Sequence, residues 1–361
     1  LPAVDEATLR STPGLDFDRL YKQGGGIKMG IVVDCLMSRL EAAGDVVSDV
    51  KPDWARETWA TMVEALRSLN PDILVFANAR EPTDDLLLTA TRLAGVPNVV
   101  MELPNLSPKA DLSQVTALVA PSRYAATHPS VVDAVAQANP APAVTVIPPP
   151  FNTTLFTPEG PILCPAPHVP PPSPYKCPSP GPTVGFVGRI STEKSPGLFL
   201  HAASNIKSAL PFARFVVVGA GKNLAQLEKM ASELEVPVTF TGALYGEELA
   251  EVMRSFDVIL NPSLRYESET FCIANVEAMA MGIVVVTFGV GGIGEYAVSG
   301  VNSVIVEWGE NLSKEMGNAT INILLDHDRR KELSSRAIET ARAFDGEMVV
   351  KAYEGFYDSL M

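Results

Sequence analysis

The chain has 361 residues, 47% of them apolar and 19% charged, which is enough to bury the cores of two domains. A formal net charge of −14 and a pI near 4.8 exclude a polyanion such as DNA, or an acidic membrane surface, as the main partner. Binding on that scale needs clustered Lys and Arg, whereas a small anionic ligand needs only one local pair of cations. No apolar run approaches the roughly 18–20 residues of a membrane span, and the longest, such as "IVVVTFGVGG", carry glycines and read as buried strands entering turns. The expectation is therefore a soluble chain without a transmembrane segment. The sequence starts at Leu1 without a signal-type stretch, which leaves the cytoplasm open and, if an anchor precedes it, a secretory lumen.

In the first half, strands are expected at "IKMGIVVD", "DILVFAN", "NVVMEL", "ALVAPS" and "VTVIPP", separated by helical stretches such as "WARETWATMVEALRSL". The strands are β-branched and almost continuously apolar, as parallel strands covered on both faces are. "IKMGIVVD" also fits a helix. From 158 to 182 prolines crowd the chain, and "CPAPHVPPPSPYKCPSPGP" sustains neither helix nor interior strand, because proline lacks the amide donor and fixes φ. The same grammar restarts with "TVGFVGR", "FARFVVVGA", "VTFTGA", "DVILNPS", "IVVVTF" and "NSVIV". The last stretch, "GEMVVKAYEGFYDSLM", has helical spacing. This predicts an α/β chain of two Rossmann-like, doubly wound parallel-sheet domains, residues 1–157 and 183–344. An interdomain excursion at 158–182 joins them, and a C-terminal helix at about 345–361 packs back on the first domain.

In such sheets ligands gather beyond the carboxyl ends of strands, where helix N-termini and glycine turns aim amides at anions. After "TVGFVGR" the chain supplies Arg189 and, five residues on, Lys194, with Pro196 suited to a first helical turn. A planar fork and a point charge are what a pyrophosphate takes to be held and then to leave. Farther on, "ESETFCIANVEAMAMG" places two carboxylates, Glu269 and Glu277, eight residues apart across a loop-to-helix junction. With a helix starting near Phe271, the amides of Thr270, Phe271, Cys272 and Ile273 are free for phosphate. Glu277 then stands about 9 Å along the axis, roughly the length of a pyrophosphate with its flanking groups. Carboxylates accept paired hydrogen bonds from vicinal diols, so one can take a sugar and the other a ribose. As the alternative, a loop Glu and an exposed helix Glu leave unexplained why Glu277 lies in an apolar helix.

Arg189 and Lys194, the Glu269-x7-Glu277 spacing, "EAMAMGIVVVT" and "VGGIGEYAVSGVNSVIV" together resemble the retaining glycosyltransferases of family 4. The resemblance is close over 183–345 and looser over 70–157, and it implies the two-Rossmann B-type fold with domains facing a cleft. It implies that Arg189 and Lys194 hold the donor pyrophosphate, that Glu269 contacts the transferred hexose and that Glu277 binds ribose. Gly188 and the amides of 270–273 would cradle the donor, and Gly24, Gly25 and Gly26 in "QGGGIK" would stand on the acceptor side. The implied activity is hexosyl transfer from a nucleotide diphosphate sugar to a carbohydrate or other hydroxyl acceptor. UDP-hexose is the favoured donor and GDP-mannose the other, with no cofactor and no metal.

This chain departs from the family at "ETFC", where Thr270 and Cys272 stand in place of common glycines, and at "VVMELPNLS", which lacks the usual His. Both departures favour the alternative of a nucleotide-sugar-binding protein with weak or no turnover. A nicotinamide-dependent oxidoreductase is disfavoured because "VVVGAGKN" offers Gly219 and Gly221 without a third glycine. A phosphorylase of similar fold would need a pyridoxal-bearing lysine, to which no motif points. The D-x-D pairs Asp16/Asp18 and Asp326/Asp328 are the kind that chance supplies. His128, His168, His201 and His327 are scattered, and four N-x-[ST] patterns begin at Asn105, Asn152, Asn311 and Asn318. Among Cys35, Cys164, Cys177 and Cys272, no zinc spacing occurs, and only Cys164 and Cys177 invite a disulfide reading.

Overall fold

The computed structural model describes residues 29–30, 63–77 apart from 65, 83–163 apart from 104, 107 and 109–111, 181–266 and 269–361. These fall into two compact units, 1–147 with 353–361, and 148–352. Gly24 to Gly26, Cys35, Cys164, Cys177, His168, Asp16 and Asp18 lie outside the described residues.

Among the described residues the first unit has a parallel sheet of five strands in simple order: β1 (Met29–Gly30), β2 (Ile73–Ala77), β3 (Asn98–Glu102), β4 (Ala117–Ala120) and β5 (Ala143–Val146). β4, "ALVA", is buried along its whole length, whereas β5 at the edge is largely exposed. That difference is why central strands read as unbroken apolar runs. The flanking helices α1 (Thr83–Ala94), α2 (Arg123–Thr127) and α3 (Pro129–Gln137) bury Leu88, Ala125 and Val131 against Leu74, Phe76, Met101 and Leu118. Ser122 caps α2 by accepting the amide of Ala125, and Pro129 opens α3 with the φ a first turn requires. At the end of β3 the carboxylate of Glu102 accepts the Tyr353 hydroxyl at 3.0 Å. Burial, then the neighbouring carboxylate, push that hydroxyl above the usual tyrosine range.

The second unit has six parallel strands: β6 (Thr183–Val187), β7 (Arg214–Val218), β8 (Val238–Gly242), β9 (Val258–Asn261), β10 (Val284–Thr287) and β11 (Val304–Ile305). Their order across the sheet is β11-β10-β9-β6-β7-β8. The chain adds strands in one direction from β6 to β8 and then restarts on the other side of β6 with β9. Successive loops leave the carboxyl edges of β6 and β9 in opposite directions, which opens a crevice between them. Helices α4 (Pro196–Ala209), α5 (Leu224–Glu233), α6 (Gly246–Met253), α7 (Ile273–Ala280), α8 (Leu312–Leu325) and α9 (His327–Ala341) complete the unit. Phe186, Ile190, Phe199, Leu200, Ile206, Phe215 and Phe288 are almost wholly buried in its core. Each such side chain contributes on the order of 1.5–3 kcal/mol.

Arg254, at the end of α6, donates to the carbonyls of Leu155 (2.7 Å), Thr157 (3.0 Å) and Pro161 (3.2 Å), which ties this incoming segment to the second unit. Asn152 turns the same segment by accepting the amides of Thr154 and Leu155, both at 3.0 Å. Asp326 caps α9 by accepting the amide of Arg329 at 2.9 Å, so the Asp326/Asp328 pair opens a helix. Helix α10 (Gly346–Asp358) begins in the second unit, and its residues from Tyr353 onward belong to the first.

Candidate functional site

The candidate site lies at the carboxyl edge of the second sheet, where β6 and β9 diverge. Past β6 the backbone is held by the next strand's exit. Gly188 N–H donates to Val218 O at 3.0 Å, and Ile190 N–H to Ala220 O at 2.9 Å. The two turns touch so closely that a Cβ on Gly219 would lie 1.9 Å from the Gly188 carbonyl oxygen, with φ at +150°. The glycines of "VVVGAGKN" therefore serve a strand-to-helix turn that props the Gly188–Ile190 backbone. Arg189 leaves this turn exposed, and its guanidinium has no hydrogen bond or ion pair among the described residues. Lys194 closes a short 3₁₀ turn (Thr192–Lys194), Ser195 follows in the left-handed region, and Pro196 starts α4.

Past β9 lies a buried polar chain. Asn261, the last residue of the strand, accepts the amide of Ser263 at 3.1 Å. It donates at 3.1 Å to both Asn275 Oδ1 and Cys272 Sγ. The Ser263 hydroxyl donates to Glu269 Oε1 at 2.5 Å, and Lys194 Nζ reaches the same oxygen at 2.6 Å. Glu269 is only 1% exposed, so a carboxylate there needs such donors. Burial works against the Lys194 ammonium, but Cys272 and Glu269 beside it hold its pKa above the ordinary lysine value, against the opposing charge of Arg189. With the Cys272 thiol pushed up to about 11 by burial, that residue is neutral near pH 7 and Glu269 is the effective counter-charge. Of the two expected cations, Arg189 is thus unpaired and Lys194 is partnered by one of the two expected acids.

The turn after β10 secures Glu269 from the other side. Gly292 N–H donates to Glu269 O at 2.8 Å, and Gly291 has φ +57°. A Cβ on Gly291 would stand 2.1 Å from that same carbonyl oxygen. Helix α7 starts at Ile273, two residues later than the junction near Phe271 that the sequence suggested. The reason is Cys272, which occupies the cap position at φ +67° and turns the chain sharply before the helix begins. Glu277 accordingly stands about 6 Å along the axis from the first helical residue, rather than 9 Å. Phe271 is buried against Tyr296 and Phe344, with ring centroids 5.3 and 5.2 Å away. Its side chain belongs to the core and only its backbone faces the site. The Tyr296 hydroxyl donates to the carbonyls of Phe271 (2.8 Å) and Cys272 (3.2 Å), and no described residue accepts from the amides of Thr270, Phe271 or Cys272. Unpaired amides before a helix N-terminus suit an anion. The Glu277 carboxylate has no hydrogen bond or ion pair among the described residues, and burial raises its pKa to about 7.

The structure therefore gathers Gly188, Lys194, Glu269, the 270–273 turn and Glu277 around one strand crossing, with Arg189 at its rim. Five contributors were not singled out from sequence: Asn261, Ser263, Asn275, Gly291 and Tyr296. Gly291 and Tyr296 had a signal, their place in the quoted stretch "VGGIGEYAVSGVNSVIV". Among the described residues no three His, Cys, Asp or Glu converge as a metal site would require, and no helix is long and apolar enough to cross a membrane.

Residues 174–343 match the family described as glycosyl transferases group 1. This stretch is similar to the group 1 glycosyl transferases. The matched stretch carries all the site residues just described except Phe344. The chain is 32% identical over 172 residues to D-inositol 3-phosphate glycosyltransferase of Stackebrandtia nassauensis, covering 45% of this chain and 38% of that protein. It is 35% identical over 156 residues to GDP-mannose-dependent alpha-mannosyltransferase of Corynebacterium glutamicum, covering 43% of this chain and 34% of that one. The matched stretches thus span well under half of these relatives. In overall fold the chain is similar to Anabaena HepE, solved in complex with UDP-glucose. The TM-score is 0.66 at 20% identity, covering 84% of this chain and 82% of that one. It is also similar to a glycosyltransferase from Rickettsia africae, with TM-score 0.67 at 16% identity, covering 90% and 87%. The two parallel-sheet α/β units are those of the B-type glycosyltransferase fold.

Proposed function

We propose that the protein is a retaining hexosyltransferase that moves a hexose from a nucleoside diphosphate sugar to a hydroxyl of a carbohydrate or small acceptor. UDP-hexose is the favoured donor and GDP-mannose the second candidate, and no metal or cofactor is required. The observation that carries this reading is an unpartnered cation, Arg189, and an unpartnered carboxylate, Glu277, in the same site as the Lys194–Glu269 ion pair. Such a site has charge to offer at both ends. Arg189, Lys194 and the 270–273 amides take the pyrophosphate and stabilise the charge that grows on it as the glycosidic bond breaks. Glu277 accepts the ribose hydroxyls, Glu269 contacts the hexose, and Gly24 to Gly26 belong to the acceptor side. The named ligands of relatives support the choice of donor: UDP-glucose in the Anabaena protein and GDP-mannose in the name of the Corynebacterium enzyme.

The test is a thermal-shift screen of UDP, GDP, ADP and their sugars against wild type, Arg189→Ala and Glu277→Ala. A ligand of the native state raises stability by RT ln(1 + [L]/Kd). Stabilisation by one nucleotide, lost in both variants, is expected; no stabilisation at millimolar concentration sinks the proposal. Cys272 at φ +67°, where glycine would be unstrained, keeps a second reading in view, a nucleotide-sugar-binding protein without turnover. That reading predicts the same binding with neither transfer nor donor hydrolysis.

A further inference from the structure

We infer that Ser263 and Asn261 are positioning residues that aim one oxygen of Glu269 at the transferred sugar; the inference rests on the donor-site reading above. Both donors that reach the Glu269 carboxylate converge on a single atom. Ser263 Oγ lies 2.5 Å and Lys194 Nζ 2.6 Å from Oε1. Among the described residues no donor meets Oε2. A carboxylate buried to 1% exposure and pinned through one oxygen has one orientation, so its second oxygen is the acceptor left for a ligand hydroxyl.

Lys194 alone does not fix that orientation, because an ammonium on a four-carbon stem is a point charge that follows the carboxylate as it turns. The serine hydroxyl sits on a short, wholly buried side chain and cannot follow. Its backbone is in turn fixed by Asn261, whose Oδ1 accepts the Ser263 amide while Nδ2 donates to Asn275 Oδ1 and Cys272 Sγ. One asparagine at the end of β9 thereby keeps the Glu269 loop and the start of α7 in register. Asp at this position would match its shape but could not donate to either partner. The chain Asn275–Asn261–Ser263–Glu269–Lys194 links five residues, through the backbone amide of Ser263 on one side and its hydroxyl on the other, and only its last two members face the ligand in the proposed mechanism.

Ser263→Ala removes the hydroxyl with little change in volume, and Ser263→Thr restores it. Donor turnover is measured with UDP-glucose and GDP-mannose, nucleotide affinity with UDP and GDP, and folding by thermal denaturation. For Ser263→Ala, kcat is expected to fall about 10- to 100-fold, with KM and nucleotide Kd within about 3-fold of wild type and recovery of most of the loss in Ser263→Thr. Asn261→Asp is expected to lower kcat in the same way and guards against a serine variant that fails to fold. An unchanged kcat in Ser263→Ala, or loss of nucleotide affinity in proportion to kcat, overturns the inference. A wild type that neither binds these nucleotides nor turns over their sugars sinks the donor-site reading instead.

Discussion

Substituting Gly291 with alanine tests whether the turn after β10 determines where Glu269 sits. The native residue has φ +57°, a conformation that costs a residue with a Cβ about 1–2 kcal/mol. The new Cβ would start 2.1 Å from Glu269 O and 3.0 Å from Tyr266 O. Both are backbone atoms, so no side chain can rotate out of the way. Relief requires the Glu269 main chain or the turn to move by about 1 Å, which also weakens the 2.8 Å hydrogen bond from Gly292, worth about 1 kcal/mol. The sum, about 3 kcal/mol, corresponds to a Tm lower by about 6–12 °C in a unit of this size. Displacement of a substrate-positioning group by about 1 Å costs roughly 100-fold in turnover. Gly294→Ala is the control, since its Cβ would meet only Gly289 O at 3.4 Å and it is not in the left-handed region. Its stability should change by about 0.5 kcal/mol or less. Thermal denaturation and donor turnover of the two variants decide the matter. Equal Tm and equal turnover would refute the reasoning, because the 2.1 Å approach would then be constraining nothing.

Lys194→Met leaves a carboxylate with 1% exposure without its cation; because the lysine side chain is itself 27% exposed, water tempers the penalty to about 2–3 kcal/mol. Arg189→Ala, at an exposed and unpaired position, should shift the urea midpoint by less than the equivalent of about 0.5 kcal/mol, and equal effects of the two would contradict the assignment of partners. For Glu277→Gln the sign follows from a folded pKa of about 7 against an ordinary glutamate value of 4.5. The wild type loses stability as pH rises through that window, so the variant's advantage should be absent below pH 4.5, grow, and level off above pH 7 at no more than about 3 kcal/mol; a pH-independent difference in denaturation would count against burial as the cause. Cys272, with a thiol near 11, should be alkylated by iodoacetamide at pH 7 at least about 100-fold more slowly than in the unfolded chain, measured on its own peptide by mass spectrometry; comparable rates would mean the thiol is open to solvent.

Local pattern carried the strands of the second unit because each is a short β-branched run buried on both faces: "TVGFVGR" became Thr183–Val187 and "IVVVTF" became Val284–Thr287. Their order across the sheet was not legible, since the restart of the chain beside β6 is set by pairing between segments about 70 residues apart. That crossing is what brings Arg189 and Glu269 to one crevice, so the motif residues could be named from sequence but not their partnership. The Lys194–Glu269 pair joins positions 75 apart, which the sequence alone reads as two separate ligand contacts. The helix start was misplaced by two residues because Cys272, a residue with a Cβ, holds a conformation that sequence reading reserves for glycine. Ser263 was invisible for a simpler reason. A serine after a strand reads as a turn former, and only the fold shows its hydroxyl reaching a buried carboxylate.

The site's two carboxylates differ in a way that bears on ligand binding. Glu269 has its donors already, whereas Glu277 is desolvated without any, and its pKa of about 7 records that imbalance. Hydroxyl groups of a bound ribose would donate to the charged form and favour it, as hydrogen bonds to an ionised group do by about 1.5–3 kcal/mol. Binding must then lower the pKa of Glu277, and near pH 7, where it is about half protonated, a proton must leave. Titration calorimetry of UDP or GDP into the protein at pH 7, in two buffers of different ionisation enthalpy, reads that proton directly. Because the nucleotide's terminal phosphate also titrates, the quantity to compare is the difference between wild type and Glu277→Gln. We expect wild type to release about half a proton more than the variant, with the difference vanishing by about pH 9. Equal proton release in the two proteins, with nucleotide bound to both, would mean that the ligand's hydroxyls do not meet Glu277, and the carboxylate would lose its place in the donor site.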